Sequence, residues 1–349
     1  MTELLDRVRS PWARKLLAVA AVLVVADLAL AVLGPDLPDP VTYPTREIQL
    51  AVQRLDERTA DGCADVLVTG NSVAAEALSA QRLADAWGLT SGVVSVLPGS
   101  IASVDVDWMN QVTLPRARPG TVVYVASPLM FVPEEVASRY GLSIYDRAVA
   151  TRGGWAGDLQ RWAVDHLPLV KYRLVLADPE AMVNGLRGDL PESYDDVVGA
   201  AGWVIEPDGH IRSTGTWTGD QRFLDAIDDA EAVVGPDWRI DDHQRDELRD
   251  QFQRLNEQGV QVVLVIPPVT DDLEAAFPGG SEGFQEYVAE ARSVGEGTDV
   301  RTVDLSAEDY DDTLFRDTHH LNQQGSDRLT AEVAEALRGE PFPTCDAVG

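Results

Sequence analysis

The sequence predicts an α/β domain built on a five-stranded parallel sheet. Short runs of apolar, mostly β-branched residues alternate along the chain with stretches that carry helical spacing. Each run is nearly continuous in apolar residues, as expected for strands that are covered on both faces. Strand–helix alternation is typical of parallel sheets with helical crossovers. The five predicted strands are residues 65–69, 93–97, 121–126, 260–266 and 300–305.

The predicted α/β domain occupies residues 61–349. Apolar residues recur at helical spacing before the fourth strand, in Leu248–Leu255, and near the C-terminus, in Leu329–Leu337. The interval between the third strand and residue 240 is too long for one crossover and has no strong period. We therefore expect an insertion at about 136–239, built of helices and irregular segments over one edge of the sheet.

The N-terminal part of the chain predicts an anchor and a spacer. Four basic residues lie within residues 1–15, a predicted cytoplasmic tail, and residues 16–33 are apolar except for Asp27. This pattern predicts a single transmembrane helix, with everything past residue 34 outside the cytoplasm. A cleaved signal peptide is the alternative, because Ala29–Ala31 fits a small-x-small cleavage site. Export follows in either case, and the Pro-rich residues 34–60 form a spacer.

The charge balance excludes one class of partner. The chain has 58 acidic and 28 basic residues, for a net charge of −30. Such a surface repels phosphate backbones, so we expect no nucleic-acid partner. The two cysteines, Cys63 and Cys345, are compatible with a disulfide in an oxidising compartment or with two unpaired thiols.

One candidate nucleophile directly follows the first predicted strand. In Gly70-Asn71-Ser72 the serine opens a helix-like stretch at the carboxyl edge of the sheet, where open α/β folds bind their ligands. An ordinary helix N-cap serine is the alternative. The motif is not the G-x-S-x-G elbow of α/β-hydrolases, since Ala74 occupies the last glycine position.

A candidate acid and base follow the last predicted strand. Asp317 stands three residues before His320, so its carboxylate could hold one ring nitrogen and leave the other free to take a proton from a serine. The alternatives are a helix-capping Asp beside a solvated His, or a metal site that uses both His319 and His320. Because all parallel strands end at one edge, Ser72 and this turn should converge there.

These two blocks resemble those of SGNH (GDSL-like) hydrolases. VLVTGNSVAAEAL is similar to the family's first block, with Asn71 where many members have Asp, and RDTHHLNQQGSDRLTAEV is similar to its last block. The resemblance implies a three-layer, flavodoxin-like domain without metal or cofactor. It also implies a catalytic triad of Ser72, Asp317 and His320, which leaves His319 outside, and an oxyanion hole formed by the backbone N–H groups of Ser72 and Gly99. The third block departs from the family pattern, since ASPLMF has Ser127 nearest to the expected asparagine.

A further stretch narrows the resemblance. QGVQVVLVIPPVTDDLEAAF is similar to membrane-anchored envelope proteins, including alginate O-acetylation factors and the D-alanyl-lipoteichoic acid group. These often act beside membrane-bound O-acyltransferases. The resemblance implies an extracytoplasmic serine esterase or O-acyltransferase, for O-acetyl groups in particular, whose partners are an envelope glycan or acylated small substrate and a membrane-bound acyltransferase.

The predicted direction of the last helix bears on the cysteines. That helix begins near His320 at the catalytic edge and runs back, so its end and Cys345 return toward Cys63, which precedes the first strand. We therefore expect a disulfide that closes nearly the whole catalytic domain into one loop.

A function of a different class stays open at this point. The chain could be a non-catalytic envelope protein that binds glycan or partners an acyltransferase. Tryptophans of the insertion could stack on sugar faces or simply pack; they are Trp155, Trp162, Trp203 and Trp217. A lipid or thioester hydrolase would need an apolar acyl channel.

Overall fold

A computed structural model of the 349-residue chain describes most of the predicted α/β domain. The described residues are 11–33, 55–60, 62–96, 100–133, 162–163, 166–171, 203–216, 234 and 238–348. The chain divides into two units, Met1–Glu47 with Ile144–Asp196 and Ile48–Ser143 with Val197–Gly349. Gly99, Trp155 and Trp217 lie outside the described residues, as do the tail 1–10 and most of the spacer 34–60 and the insertion.

The described part of the first unit consists mainly of two helices. Helix α1 spans Pro11–Leu33. The other helix spans Pro168–Lys171 and is named α6, because the helices are numbered in chain order. Asp27 of α1 accepts a hydrogen bond of 2.8 Å from the backbone N–H of Leu169, which lies in the first turn of α6 and has no partner within its own helix. Across the described residues, no helix has the length and apolar character required to cross a membrane. The predicted anchor and extracytoplasmic location stay predictions.

The second unit contains the predicted parallel sheet. Its strands are β1 Val66–Gly70, β2 Gly92–Val94, β3 Thr121–Val125, β6 Gln261–Ile266 and β7 Val300–Asp304. They are all parallel and are paired in the order β2-β1-β3-β6-β7, which is the flavodoxin-like order of a doubly wound sheet. The central strands β1, β3 and β6 are almost completely buried because helices cover both faces.

Helices on the two faces of the sheet enclose two separate apolar cores. Alternate residues of each strand point to opposite faces, so Leu67 joins one core and Val66 and Val68 the other. Helices α4 Ala102–Trp108, α7 Asp242–Glu257 and α9 Ser281–Val294 cover the first face, and α2 Ser72–Ala77, α3 Ala80–Ala86 and α10 Gln323–Ala336 the second. The described part of this unit also contains the α-helices α5 Leu114–Ala117 and α8 Asp271–Ala276.

The insertion differs from the prediction in one described part. Residues 203–213, predicted as helical or irregular, form an antiparallel hairpin of β4 Trp203–Ile205 and β5 Ile211–Ser213. The carbonyl of Asp208, in the hairpin turn, accepts a 2.7 Å hydrogen bond from Val94 N–H on the edge strand β2. Strand β2 ends at Val94, three residues before the predicted end. The hairpin thus covers the edge of the sheet at β2, as inserted elements commonly do.

The edge opposite the carboxyl ends of the strands is closed covalently. Cys63 and Cys345 form a disulfide across a Cα–Cα distance of 5.9 Å. Next to it, the buried carboxylate of Asp65 accepts hydrogen bonds from Cys345 N–H at 2.9 Å and from Thr90 N–H at 2.8 Å. Hydrogen bonds to this carboxylate outweigh the effect of its burial and lower the pKa of Asp65. The C-terminal segment is therefore tied to the starts of β1 and β2.

Candidate active site

Ser72 lies directly after β1, where a tight approach of two strands shapes the chain. Gly70 ends β1 with φ +136°, and a Cβ there would lie 2.9 Å from the carbonyl oxygen of Val125 on β3, so only glycine fits. Asn71 is the N-cap of α2, because its side-chain oxygen accepts from Val73 N–H at 3.1 Å. Ser72 is therefore the first helical residue, and its side chain is free of the capping role.

The loop after β7 holds Asp317 and His320 in a closed turn. The N–H of Arg316 donates to the carbonyl of His320 at 2.8 Å. Asp317 Oδ1 accepts from the backbone N–H groups of His319 and His320 at 3.0 and 2.8 Å. Asn322 then caps α10 by accepting from Gln324 N–H and Gly325 N–H. The DTHHLN sequence thus folds into a turn that ends at a helix cap.

The structure brings the three predicted residues into one hydrogen-bonded line. Ser72 Oγ lies 2.9 Å from His320 Nε2. His320 Nδ1 lies 2.8 Å from Asp317 Oδ2 and 3.0 Å from Asp317 Oδ1. Asp317 and His320 are both buried, with 8% and 9% exposure. A hydroxyl, an imidazole and a carboxylate at these distances have the geometry of a nucleophile, its base and the acid that orients the base.

Neighbouring groups keep Asp317 ionised. Burial acts to raise the pKa of Asp317, but neighbouring groups that favour its ionised form together outweigh burial, and the largest of these effects is the charge interaction with His320. His319, a hydrogen bond from His320 and the guanidinium of Arg316 act in the same direction, so the pKa lies well below its usual range. The carboxylate can therefore accept a hydrogen bond from the Nδ1–H of His320 at any physiological pH.

His319 lies beside the triad geometry but outside it. Its ring centroid is 4.1 Å from that of His320, and its Nδ1 lies 3.1 Å from the hydroxyl of Thr318. Burial, together with the neighbouring His320, lowers the pKa of His319, so this ring is neutral at neutral pH. The resemblance likewise leaves His319 out of the triad.

The metal-site alternative can be examined from the donor atoms. Ligand atoms of Asp317, His319 and His320 lie within 4.8 Å of one another. Both ring nitrogens of His320 already have partners, however, since Nδ1 meets Asp317 and Nε2 meets Ser72. A metal ligand needs one ring nitrogen free to bind the ion, so this arrangement suits proton transfer better than metal binding.

Two charged residues at this site were not predicted from the sequence. Glu76, one helical turn beyond Ser72 on α2, is 3% exposed, and its Oε1 lies 3.9 Å from His320 Nε2. Arg316 donates to both oxygens of Glu76 at 2.8 Å and lies 3.1 Å from Asp317 Oδ2. Its guanidinium also stacks on Trp203 of the hairpin, 5.0 Å from the ring centre. The signal in the sequence was only a glutamate on an apolar helix.

A small pocket adjoins the Ser72 hydroxyl. Its volume is about 30 Å³, and polar groups of Asn71, Ser127 and His319 line part of it. Asn71 Nδ2 donates to Ser127 Oγ at 2.6 Å. The apolar part of the lining comes from Val73, Pro128, Leu129, Val234 and Leu273. Both apolar and polar residues therefore line the space next to the Ser72 hydroxyl.

Residues 246–334 match the model of the DltD protein family. This family functions in the cell envelope, in D-alanyl-lipoteichoic acid biosynthesis. The match covers about a quarter of the chain and includes Arg316, Asp317 and His320, whereas Ser72 lies outside it. No curated protein matches the chain.

The insertion's tryptophans have different surroundings. Trp162, in the first unit, is 50% exposed and stacks on His166. Trp203 packs against Arg316. Trp155 and Trp217 lie outside the described residues. Trp203 thus has a packing partner in the active-site region, which accounts for it without a sugar ligand.

Proposed function

We propose that the chain is a serine esterase or O-acyltransferase that acts on acyl esters of a cell-envelope glycan. The observation that carries the proposal is the line from Ser72 through His320 to Asp317, with contacts of 2.9 and 2.8 Å. A serine–histidine–aspartate line whose histidine and aspartate are buried, at the carboxyl edge of a parallel sheet, has little use in a protein that only binds. The match to the DltD family supports the envelope as the place of action.

The geometry supports a two-step acyl transfer. Ser72 Oγ attacks the acyl carbonyl while His320 Nε2 takes the hydroxyl proton, and Asp317 stabilises the imidazolium that forms. His320 then gives the proton to the departing alkoxide, leaving the acyl group on Ser72. In the second step Nε2 takes a proton from water or from a sugar hydroxyl while that oxygen attacks the acyl carbon. The bond between the acyl carbon and Ser72 Oγ then breaks, and Nε2 returns the proton to Ser72 Oγ. Water gives hydrolysis, and the sugar hydroxyl gives transfer.

Three groups are proposed to stabilise the oxyanion. The backbone N–H of Ser72 is one, and Gly99 N–H, predicted from the resemblance, is another. The third is the hydroxyl of Ser127. Ser127 Oγ accepts from Asn71, so its own proton can point into the pocket that both residues line.

The size of the pocket supports a short acyl group. A volume of about 30 Å³ corresponds to roughly two water-sized spheres, which suits the methyl of an acetyl group. We propose O-acetyl esters as substrates for this reason.

The proposed setting is the outer side of a membrane. The four basic residues within 1–15 and the apolar segment 16–33 support an N-terminal anchor. The disulfide supports an oxidising compartment. The resemblance to envelope proteins supports a membrane-bound O-acyltransferase as partner.

The test is turnover of a chromogenic acetyl ester by the full-length chain. Ser72→Ala and His320→Ala should each lower kcat by at least about 10³-fold. His243→Ala, at a histidine whose side chain is 66% exposed, is the matched control and should keep normal turnover. If the wild-type chain neither hydrolyses the ester nor reacts at Ser72 with a serine-directed phosphonate, the binding-protein alternative takes its place.

A further inference from the structure

The environment of His320 contains more charge than a serine–histidine–aspartate line requires. Asp317 contacts its Nδ1, and Glu76 Oε1 lies 3.9 Å from its Nε2. Two carboxylates therefore flank one imidazole. A carboxylate within about 4–6 Å favours the charged imidazolium, and a base that is already protonated cannot accept the proton of Ser72.

Arg316 is placed to offset this effect. It binds Glu76 through two hydrogen bonds of 2.8 Å and approaches Asp317 Oδ2 at 3.1 Å. It therefore shares its positive charge between the two carboxylates that flank His320. The guanidinium is held from its other side by Trp203 of the hairpin.

Resting on the proposed function, we propose that Glu76 and Arg316 act as a charge-balancing pair that sets the pH range in which His320 serves as the base. Both are positioning residues, since neither needs to touch the substrate. Four charged or titratable groups surround His320. Asp317, His319 and Arg316 belong to its own loop, where Arg316 directly precedes Asp317, and Glu76 belongs to α2. Trp203, from the hairpin, is uncharged.

The two single substitutions have opposite expected effects. Glu76→Gln removes a negative charge near Nε2 and disfavours the imidazolium, so the acid limb of kcat/KM against pH should move to lower pH by about one unit. Arg316→Gln removes the positive charge, and its acid limb should move to higher pH by a similar amount. This limb reports the ionisation of the base in the free enzyme.

A purely structural role predicts a different result. If the ion pair only held the Asp317–His320 turn against α2, each variant would lose activity by a factor that does not change with pH. The direction of the shift therefore separates charge balance from anchoring.

The experiment measures both the pH profile and the titration of His320. Imidazole NMR of the full-length chain labelled at histidine, assigned with His320→Asn, gives the titration without any need for turnover. Arg292→Gln, which breaks an ion pair with Asp304 on β7, is the matched control and should leave His320 unchanged. Shifts in the same direction, or no shift in either variant, would overturn the proposal.

A double variant guards against loss of folding. Arg316→Gln alone leaves the buried Glu76 carboxylate without its partner, which is strongly destabilising. The double variant Glu76→Gln with Arg316→Gln has no unpartnered carboxylate at position 76. The acid limb of this double variant should lie at higher pH than that of Glu76→Gln. If the wild-type chain has no turnover and no phosphonate labelling, the proposed function fails, while the NMR titration still decides the charge balance.

Discussion

The side-chain amide of Asn71 donates a 2.6 Å hydrogen bond to the hydroxyl of Ser127. Both residues are almost fully buried, and they follow the neighbouring strands β1 and β3. The bond fixes the acceptor side of Ser127 Oγ, so the hydroxyl proton is the part left to face the pocket. Ser127 thus offers a donor where the SGNH pattern leads one to expect an asparagine.

Removal of this donor should affect the chemical step. We expect Ser127→Ala to lower kcat by about 10²-fold with little change in KM, the usual cost of losing one oxyanion donor. Ser95→Ala is the control, because Ser95 is also buried and follows β2 but contacts Thr113. Steady-state kinetics on an acetyl ester measure both. A normal kcat in Ser127→Ala would exclude its hydroxyl from the oxyanion site.

Asp317 should be needed for the correct ring form of His320. Asp317→Asn keeps the shape of the side chain but replaces the carboxylate, which accepts a hydrogen bond from His320 Nδ1–H, by an amide. We therefore expect kcat to fall by roughly 10³- to 10⁴-fold. The exposed Asp309 provides the control, Asp309→Asn, with unchanged turnover. Equal rates for both variants would contradict the assignment.

The disulfide should contribute to stability. Replacing Cys63 and Cys345 by serine opens a loop of sequence separation 282, and we expect a loss of about 3 kcal/mol in the free energy of unfolding. Chemical unfolding of the oxidised and the substituted chain measures the difference. Thiol titration of the unfolded wild-type chain without reductant should find no free cysteine, and two reactive thiols would disprove the bond.

Asp105 should make stability depend on pH. It is 1% exposed and accepts hydrogen bonds from Ser100 and from Tyr124 at 3.0 Å. Burial raises its pKa to about 7 from an ordinary 3.8. Between these values the folded chain keeps a proton that the unfolded chain releases, so stability falls as the pH rises through this window, by roughly 1 kcal/mol per unit.

Asp105→Asn should remove this dependence because an amide does not titrate in that range. Urea unfolding of wild type and variant at pH 5 and pH 7.5 checks the prediction. The stability of wild type relative to the variant should be lower at pH 7.5. An equal difference at both pH values would show that Asp105 ionises normally.

The sheet could be predicted because its signal is local. Strands β1, β3, β6 and β7 begin and end within one residue of the predicted bounds. The central strands β1, β3 and β6 are runs of apolar residues covered on both faces, whereas β7, at the edge of the sheet, is only partly buried. The hairpin at 203–213 could not be predicted. Its two strands have three residues each, and their placement depends on the bond between Asp208 and Val94, which are far apart in the sequence.

The candidate site shows the same division. Ser72, Asp317 and His320 stand in recognisable blocks, and the parallel topology brings the ends of β1 and β7 to one edge. Glu76 and Arg316 lie within the same two blocks, but neither occupies a position to which the family pattern assigns a catalytic role. Their place at the site becomes visible only through the contact between them, which joins residues 240 positions apart in the chain. A glutamate in an otherwise apolar helix does not indicate which residue it pairs with.

The pairing of Glu76 with Arg316 also has an evolutionary consequence. A chain that lost Arg316 alone would leave the buried Glu76 carboxylate without its partner beside the histidine, at a cost in folding. A chain that lost Glu76 alone would leave the charge of Arg316 to Asp317, and the charges around the histidine would no longer balance. Substitutions at the two positions should therefore be inherited together. Among relatives of this chain, positions 76 and 316 are expected to vary as a pair, either both charged or both neutral.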